Sequence, residues 1–300
     1  MKVIISSLGF ILLMTGHSFG FGVGNHENLT KLAVEQYNRC QSTKDKKVTE
    51  ADEGFIVAGN LGEDNQPVLD RAKLWHFYKH ERELDEAGSK GMPQFLRDKV
   101  EATSFNAYFD QMVDGELNGL LQKEPQNSGF IYKKLGQTIH YIQDVSVPAH
   151  VIPIFHPVFS SSHLPKGDTF DKFDVDISTK DLGCDALAAD SNSVSLQQIM
   201  KENVAATERS LANNQATDWS CFWDGAIDPT TGFGHYGESG NTFGPKSWFF
   251  YWEKDRTYTC KGKIFKIEKR IFTEFAKKRQ IAAIEATMRA IATVQLQLRP

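Results

Sequence analysis

Apolar residues recur at helical spacing along most of the readable segments of this chain. Positions three and four residues apart share one face of a helix, so this spacing predicts amphipathic helices. Helices are expected at 27–37, 94–110, 130–143, 196–213 and 264–298. Strand-like alternation is scarce, and one short strand is expected at 248–254. The pattern therefore predicts an all-α fold class.

Two segments interrupt this pattern and are expected to be long loops. Residues 155–182 and 218–247 are rich in Gly, Pro, Asp and Ser. Loops of this length inside a compact domain are usually functional or held in place, and Cys184 and Cys221 are placed to hold them. Because no linker, repeat or low-complexity tract divides the chain, residues 21–300 are expected to form one domain.

The N-terminal segment has the composition of a secretory signal peptide. Lys2 precedes an apolar run at 3–14, and the small residues Ser18 and Gly20 follow it. A run of about a dozen apolar residues is too short to cross a bilayer. We expect residues 1–20 to be removed and the mature chain to begin at Phe21.

Export would place the cysteines in an oxidising compartment. The chain has an even number, Cys40, Cys184, Cys221 and Cys260, which favours two disulfides. Three pairings are possible, and the sequence does not choose among them. The wide spacing argues against a zinc site made of thiolates.

The charge of the chain is acidic. Loss of Lys2 with the signal peptide changes the formal net charge from −4 to −5. This balance lacks the basic footprint typical of proteins that bind long nucleic acids. It does not exclude them, because bound divalent cations can supply positive charge locally. No second long apolar run exists, so a soluble mature protein is expected.

The segment IHYIQDVSVPAH, residues 139–150, constrains function most. His140 and Asp144 are four residues apart, so on a helix they lie on one face and can bind one divalent cation. The alternative is a surface ion pair or a capped core histidine. Pro148 removes a backbone donor and disturbs the helix, which would let His150 point at a second ion.

Two further histidines lie in distinctive local settings. His26 is six positions into the expected mature chain, and flexible glycines would let the terminal amine meet it at one ion. A helix cap or surface position is the alternative for His26. His76 lies between two aromatic residues that would bury it, and a buried imidazole needs partners. Asp64, placed after a glycine-containing turn, could supply a carboxylate, with Glu63 as a competitor.

These landmarks together resemble a known family. HYIQDVSVPAH is similar to the H-x-x-x-D-x-x-x-P-x-H segment of zinc-dependent phospholipases C and of the related secreted single-strand-specific nucleases, which share an α-helical fold around three zinc ions. An aromatic Phe21, then His26, Asp64 and the WHFY segment at His76 follow the family order. The landmarks cover residues 21–171, and the remainder resembles the family in helical character alone.

The resemblance implies a set of zinc ligands. Asp64, His76, His140 and Asp144 would hold one ion. Asp144 would also bridge to a second ion, completed by His26 and by the amine and carbonyl of Phe21. The family usually has Trp at that first position, but backbone atoms are the ligands there.

The third zinc site departs from the family pattern. His150 would begin it, followed in the family by a His and, four residues later, a Glu or Asp. Asp171 matches the acidic position best, with Asp168 as a lesser rival, yet the residue four before Asp171 is Gly167. The histidine would therefore be His156 or His163. His156 is preferred because it lies close to His150 between Phe155 and Pro157.

The resemblance also implies an activity, which is zinc-dependent phosphodiester hydrolysis. Bound zinc lowers the pKa of its water from about 15.7 towards 7 and offsets charge on the phosphate oxygens. Asp64 is the candidate general base for the attacking water. No covalent intermediate on the protein is needed.

The substrate is expected to be a phospholipid at a membrane surface, with a single-stranded nucleic acid as the alternative. The acidic charge favours the lipid. Loop aromatics could enter a lipid interface or stack on bases, or else form core; they are Phe222, Trp223, Phe233, Tyr236, Phe243 and the WFFYW run at 248–252. No stable protein partner is implied and a monomer is expected. An inactive zinc-binding, membrane-interacting protein is the remaining reading.

Overall fold

A computed structural model of the chain describes residues 23–64, 77–78, 105–123, 127–154, 168–188, 194–212, 217–226, 233–244 and 255–298. In these ranges the chain is mostly helical, as the periodicity predicts. The helices are α1 Val23–Cys40, α2 Glu50–Asp64, α3 Phe105–Asp110, α4 Asn118–Lys123, α5 Ser128–Asp144, α6 Pro148–Val151, α7 Asp185–Ala188, α8 Leu196–Ala212 and α9 Lys269–Leu298. A π-helical segment, Gln111–Leu117, joins α3 to α4.

The core lies between α1, α2, α5, α8 and α9. Along α5, Ile131, Leu135, Ile139 and Ile142 recur at helical spacing, and all four are completely buried. Helix α9 packs against α1, α5 and α8, and it contributes many buried residues to the core. Helix α5 is thus enclosed by its neighbours, and polar residues near its C-terminal end lie inside the protein.

Helix α2 was not predicted, because its glycines resemble turn signals. Gly59 and Gly62 lie within the helix, and Asp64 is its last residue rather than the residue after a turn. The reason for one glycine is the close approach of α5: a Cβ atom at Gly59 would collide with the backbone oxygen of Lys133. Likewise, a Cβ atom at Gly136 would collide with the backbone oxygen of Ile56. The two glycines let α2 and α5 pack backbone against backbone.

The long C-terminal helix begins later than the predicted residue 264. Residues Lys263–Glu268 form strand β4, which pairs antiparallel with β3, Asp255–Cys260. Lys261 and Gly262 connect them with φ of 51° and 71°, which is the two-residue turn that suits a hairpin. A second small antiparallel sheet pairs β1, Trp223–Asp224, with β2, His235–Tyr236, inside the second predicted loop.

The other predicted elements are placed as follows. The helices expected at 27–37 and 130–143 lie within α1 and α5, and the one at 196–213 corresponds to α8. Of 94–110, the described part is helix α3. The strand expected at 248–254 lies outside the described residues. In the first predicted loop, residues 168–182 form turns and a short 3-10 helix, Thr179–Asp181, while 155–167 lie outside the description.

The prediction of two disulfides is confirmed. Cys40 at the end of α1 bonds Cys184, just before α7, and Cys221 bonds Cys260 at the end of β3. Both predicted loop cysteines therefore tie their segments to regular elements. Two disulfides fit a protein of an oxidising, extracellular environment. Among the described helices, none combines the length and apolar character needed to cross a bilayer.

Candidate metal centre

His140 and Asp144 lie on one face of the last turn of α5, as their spacing predicts, and both are completely buried. The helix stops there because the chain turns, with the Val147 amide donating to the Asp144 carbonyl at 2.8 Å. Pro148 then begins α6 at its first position, where a missing amide hydrogen is harmless. Pro148 starts a new helix that carries His150.

His26, on the first turn of α1, enters the same buried space. Its Nε2 lies 3.2 Å from Asp144 Oδ1, and its ring stacks on His140 with centroids 4.2 Å apart. On the other side of the ring, Nδ1 is 2.7 Å from Gln143 Oε1. A nitrogen of His26 therefore faces the acidic groups while the other nitrogen is held by an amide.

The second carboxylate comes from the C-terminal end of α2. Asp64 is 1% exposed, and its Oδ1 lies 3.9 Å from His140 Nε2. Glu63, the alternative to Asp64 as the acidic ligand, points away from the histidines. It accepts hydrogen bonds from Gln137 at 2.6 Å and from the Tyr141 hydroxyl at 2.7 Å. Asp64 is thus the acid of this pair that faces the histidines.

Among the described residues, His26, Asp64 and His140 form a group whose ligand atoms all lie within 4.8 Å of one another. Zinc lies about 2.0–2.2 Å from such nitrogen and oxygen ligands, so the ligands of one ion are at most about 4.4 Å apart and this group would close slightly around it. Two imidazoles and a carboxylate are also a ligand set that suits a divalent transition metal. These buried residues could hold a metal ion.

Asp144 lies against this group, and each of its two oxygens has histidine neighbours. Oδ1 is the oxygen near His26, while Oδ2 lies 3.4 Å from His140 Nε2 and 3.8 Å from His150 Nδ1. Two buried acids and three histidines are therefore in close contact in a water-excluded space. A carboxylate with different neighbours on its two oxygens can serve two ions, and the division of these ligands among separate ions stays a prediction.

The negative charges of Asp144 and Asp64 affect the pKa of His26. Burial alone lowers the pKa of an imidazole, because it disfavours the charged form. Here the hydrogen bond to Asp144 and the negative charges of Asp144 and Asp64 outweigh burial, so the pKa of His26 is raised above 6.5. The pocket thus favours positive charge at this position, which a proton or a metal ion can supply.

His150 is positioned by α6 and by residues 77–78. Its ring stacks on Phe77 with centroids 5.3 Å apart, and its carbonyl accepts from the Tyr78 amide at 2.8 Å. The segment that follows the WHFY histidine therefore lies directly against α6. This contact brings Phe77 and Tyr78 close to the buried group of histidines and acids.

The two acids proposed for the third site behave differently. Asp168 accepts from the Phe170 amide, from Trp223 Nε1 and from the Tyr236 hydroxyl at 2.7–3.0 Å, so its carboxylate anchors aromatic residues. Asp171 is completely buried, and its carbonyl accepts from Asn25, the neighbour of His26. Burial first, then the charges of both acids, raises the pKa of Tyr236. Asp171 thus lies beside the start of α1.

Several predicted ligands lie outside the described residues. They are Phe21, His76 and His156, together with the alternative His163. Their assignment stays a prediction.

Gln143 is the residue of this site that sequence reasoning missed. It lies three positions after His140, so the same helical spacing that singled out Asp144 also places Gln143 on that side of α5. A polar side chain on the same side of α5 as His140 and Asp144 was the signal in the sequence that could have identified Gln143. Its importance comes from contacts with three other helices, which the local sequence does not show.

For part of the aromatic set, the core alternative is confirmed. Phe222, Trp223 and Phe243 are 1–3% exposed and pack with Trp219 and Phe275 in one cluster. These rings are covered on all sides and cannot enter a lipid interface or stack on bases. Phe233 and Tyr236 are half-buried, and 248–252 lie outside the described residues.

Comparison with protein-family models, with curated proteins and with solved structures finds no match to this chain.

Proposed function

We propose that this protein is a secreted zinc-dependent phosphodiester hydrolase related to the zinc phospholipases C and single-strand-specific nucleases. The observation that carries the proposal is the buried convergence of His26, Asp64 and His140 against Asp144. Side chains from three helices that the resemblance assigns to zinc lie close together here, which supports the proposal. Two disulfides agree with the proposed export.

Each residue of the centre has a role in this proposal. His26, His140 and Asp144 bind the metal, and Asp64 both contributes a ligand and accepts the proton of the attacking water. Bound zinc would supply Lewis acidity and a water of lowered pKa. The chain supplies buried acids that hold the ions and exclude bulk water, so that electrostatic interactions with the phosphate are strong.

A phospholipid is the proposed substrate, cleaved at the bond between glycerol and phosphate. The acidic net charge, −5 after loss of Lys2, disfavours a long polyanion, which supports the lipid over nucleic acid. The buried aromatic cluster gives no support to either substrate. Full hydrolysis assays must therefore separate them.

Hydrolysis of p-nitrophenylphosphorylcholine by the full mature chain tests the enzyme. Activity is expected, with loss on chelation and recovery on adding zinc. Phosphatidylcholine vesicles and denatured DNA are then compared as substrates: release of a phosphorylated headgroup identifies a phospholipase C, and shortened DNA identifies a nuclease. Zinc binding without turnover of any of these would instead identify an inactive metal-binding protein.

Asp64→Asn tests the proposed general base. An amide of the same shape cannot accept the water proton, so turnover should fall by roughly 10²–10⁴-fold. Asp52→Asn is the matched control, since Asp52 lies near the other end of α2, about 18 Å away. Steady-state kinetics at saturating zinc gives the comparison. Near-normal turnover by Asp64→Asn would remove Asp64 from the mechanism.

A further inference from the structure

Gln143 is the centre of a buried polar group that joins four helices. We call it the Gln143 cluster: Thr30 of α1, Asn60 of α2, Gln143 of α5 and Thr287 of α9, each 0% exposed. Gln143 Nε2 donates to Thr30 Oγ1 and Thr287 Oγ1, both at 3.1 Å. Its Oε1 lies 3.2 Å from the Asn60 amide nitrogen and 2.7 Å from His26 Nδ1.

These contacts fix which atom of the amide faces His26. The Thr287 hydroxyl donates to the Ala283 carbonyl at 2.8 Å, so its oxygen is left to accept from Gln143. The Asn60 amide nitrogen is also a donor, and it requires an oxygen opposite. A reversed Gln143 would place donor against donor at Asn60 and acceptor against acceptor at Thr287. Its Oε1 must therefore point at His26, with all four hydrogen-bonding positions of the amide in use.

The acceptor oxygen of Gln143 decides which ring nitrogen of His26 carries the hydrogen. A neutral imidazole carries one hydrogen, and the nitrogen that faces the acceptor keeps it. Nδ1 then donates to Gln143, and Nε2 presents its lone pair to the space shared with Asp64, His140 and Asp144. Nε2 is the nitrogen that a metal ion needs.

We propose that Gln143 is a positioning residue for the metal centre, which holds the Nδ1 hydrogen of His26 and so directs Nε2 to the metal. This inference rests on the proposed metal site. Gln143 touches neither substrate nor metal and acts through His26. Because Thr30, Asn60 and Thr287 fix the amide, the orientation of His26 depends also on α9, a helix that supplies none of the proposed ligands.

Residues that hydrogen-bond to the second ring nitrogen of a metal-binding histidine usually change metal affinity by about 10–100-fold when they are removed. Gln143→Leu keeps the size of the side chain and removes the acceptor, so zinc should bind about 10–100-fold more weakly. The matched control is Gln295→Leu. Gln295 is also buried and donates to the Tyr132 hydroxyl at 2.6 Å, but Tyr132 lies eight residues, about 12 Å, before His140. Its zinc affinity should equal that of the wild type.

The experiment combines zinc titration of the mature variants with ¹⁵N NMR of the histidine rings. In the wild type, His26 should carry a slowly exchanging hydrogen on Nδ1 both with and without zinc, and zinc on Nε2. An unchanged zinc affinity in folded Gln143→Leu would overturn the proposal, as would a zinc-loaded wild type without the Nδ1 hydrogen. If the variant does not fold, the wild-type spectrum still decides. If the wild type binds no zinc, the proposed function fails, while the Nδ1 signal separately decides the contact with Gln143.

Discussion

Asp144 presents its two carboxylate oxygens to different histidines. Oδ1 lies near His26, and Oδ2 lies near His140 and His150. In the absence of metal, the charge of Asp144 favours a proton on His26, and its pKa is raised for that reason. A proton and the proposed metal ion would therefore compete for the same nitrogen.

This competition predicts how the stability of the metal-free protein depends on pH. The folded protein holds the His26 proton more tightly than the unfolded chain does, so the stabilisation is complete below pH 6.5. It is lost as pH rises through the raised pKa of folded His26. Thermal unfolding between pH 5.5 and 8.5, after chelation, should show this loss. Zinc should restore stability most at the upper end of the range, where it displaces no proton.

Asp144→Asn provides the control for that profile. The variant loses the largest contribution that raises the pKa of His26, so NMR titration should find that pKa lower than in the wild type. The loss of stability assigned to His26 should move to lower pH with it. A wild-type profile that is identical to that of Asp144→Asn would show that the pair does not control stability.

At the scale of elements, the position of Asp64 depends on how closely α2 approaches α5. Gly59 and Gly136 remove the side chains that would separate the two backbones. Asp64 lies five residues beyond Gly59, and His140 lies four residues beyond Gly136. The contact between the helices thus sets the distance between an acid and a histidine of the metal centre.

Gly136→Ala tests this dependence. Its methyl group would collide with the backbone of Ile56, so α2 must move away from α5. We expect a loss of about 1–3 kcal/mol in the free energy of unfolding and weaker zinc binding, because Asp64 moves with α2. Urea unfolding and zinc titration measure the two effects.

Gly54→Ala is the matched control on α2. Gly54 is exposed, and a Cβ atom there meets nothing within 4 Å. Alanine is the better helix former, so stability should be unchanged or rise by up to about 1 kcal/mol. If Gly136→Ala unfolds and binds zinc as Gly54→Ala does, the close approach of the helices is unimportant.

At the scale of the whole molecule, the two disulfides close loops of different length. Cys40 and Cys184 are 144 residues apart, and Cys221 and Cys260 are 39 apart. A longer closed loop restricts the unfolded chain more. Replacing both cysteines of the first pair by serine should therefore cost more, about 4–5 kcal/mol, than the same change in the second, about 3–4 kcal/mol. Denaturant unfolding of the two variants gives the order, and the reverse order would show that native contacts dominate.

The sequence predicts the helix that carries the centre better than the partners of that helix. His140 and Asp144 lie on one buried face because helical spacing is a local property, and α5 has a regular apolar stripe. Helix α2 was missed because Gly59 and Gly62 are local turn signals. The value of Gly59 becomes clear from the opposite helix, about 75 residues further along the chain, which no local pattern contains.

The start of α9 was misplaced for a related reason. Ile264, Ile267 and Ile271 keep helical spacing, so the periodicity continues through residues that are extended. Pairing with β3 through the turn at Lys261 and Gly262 decides the strand. Ile264 is 77% exposed, which shows that its place in the apolar pattern does not reflect burial. Pairing between segments can therefore override local periodicity.

The Gln143 cluster also has a consequence for the order in which the protein matures. Gln143 is 117 residues after His26 and 144 residues before Thr287, so the amide is fixed only when the C-terminal helix has docked. Contacts this distant in sequence form late in folding, because they require large loops to close. A chain still being made would have His26 but not its fixed orientation. We therefore expect tight metal capture to be one of the last steps of maturation, after the whole chain has been synthesised.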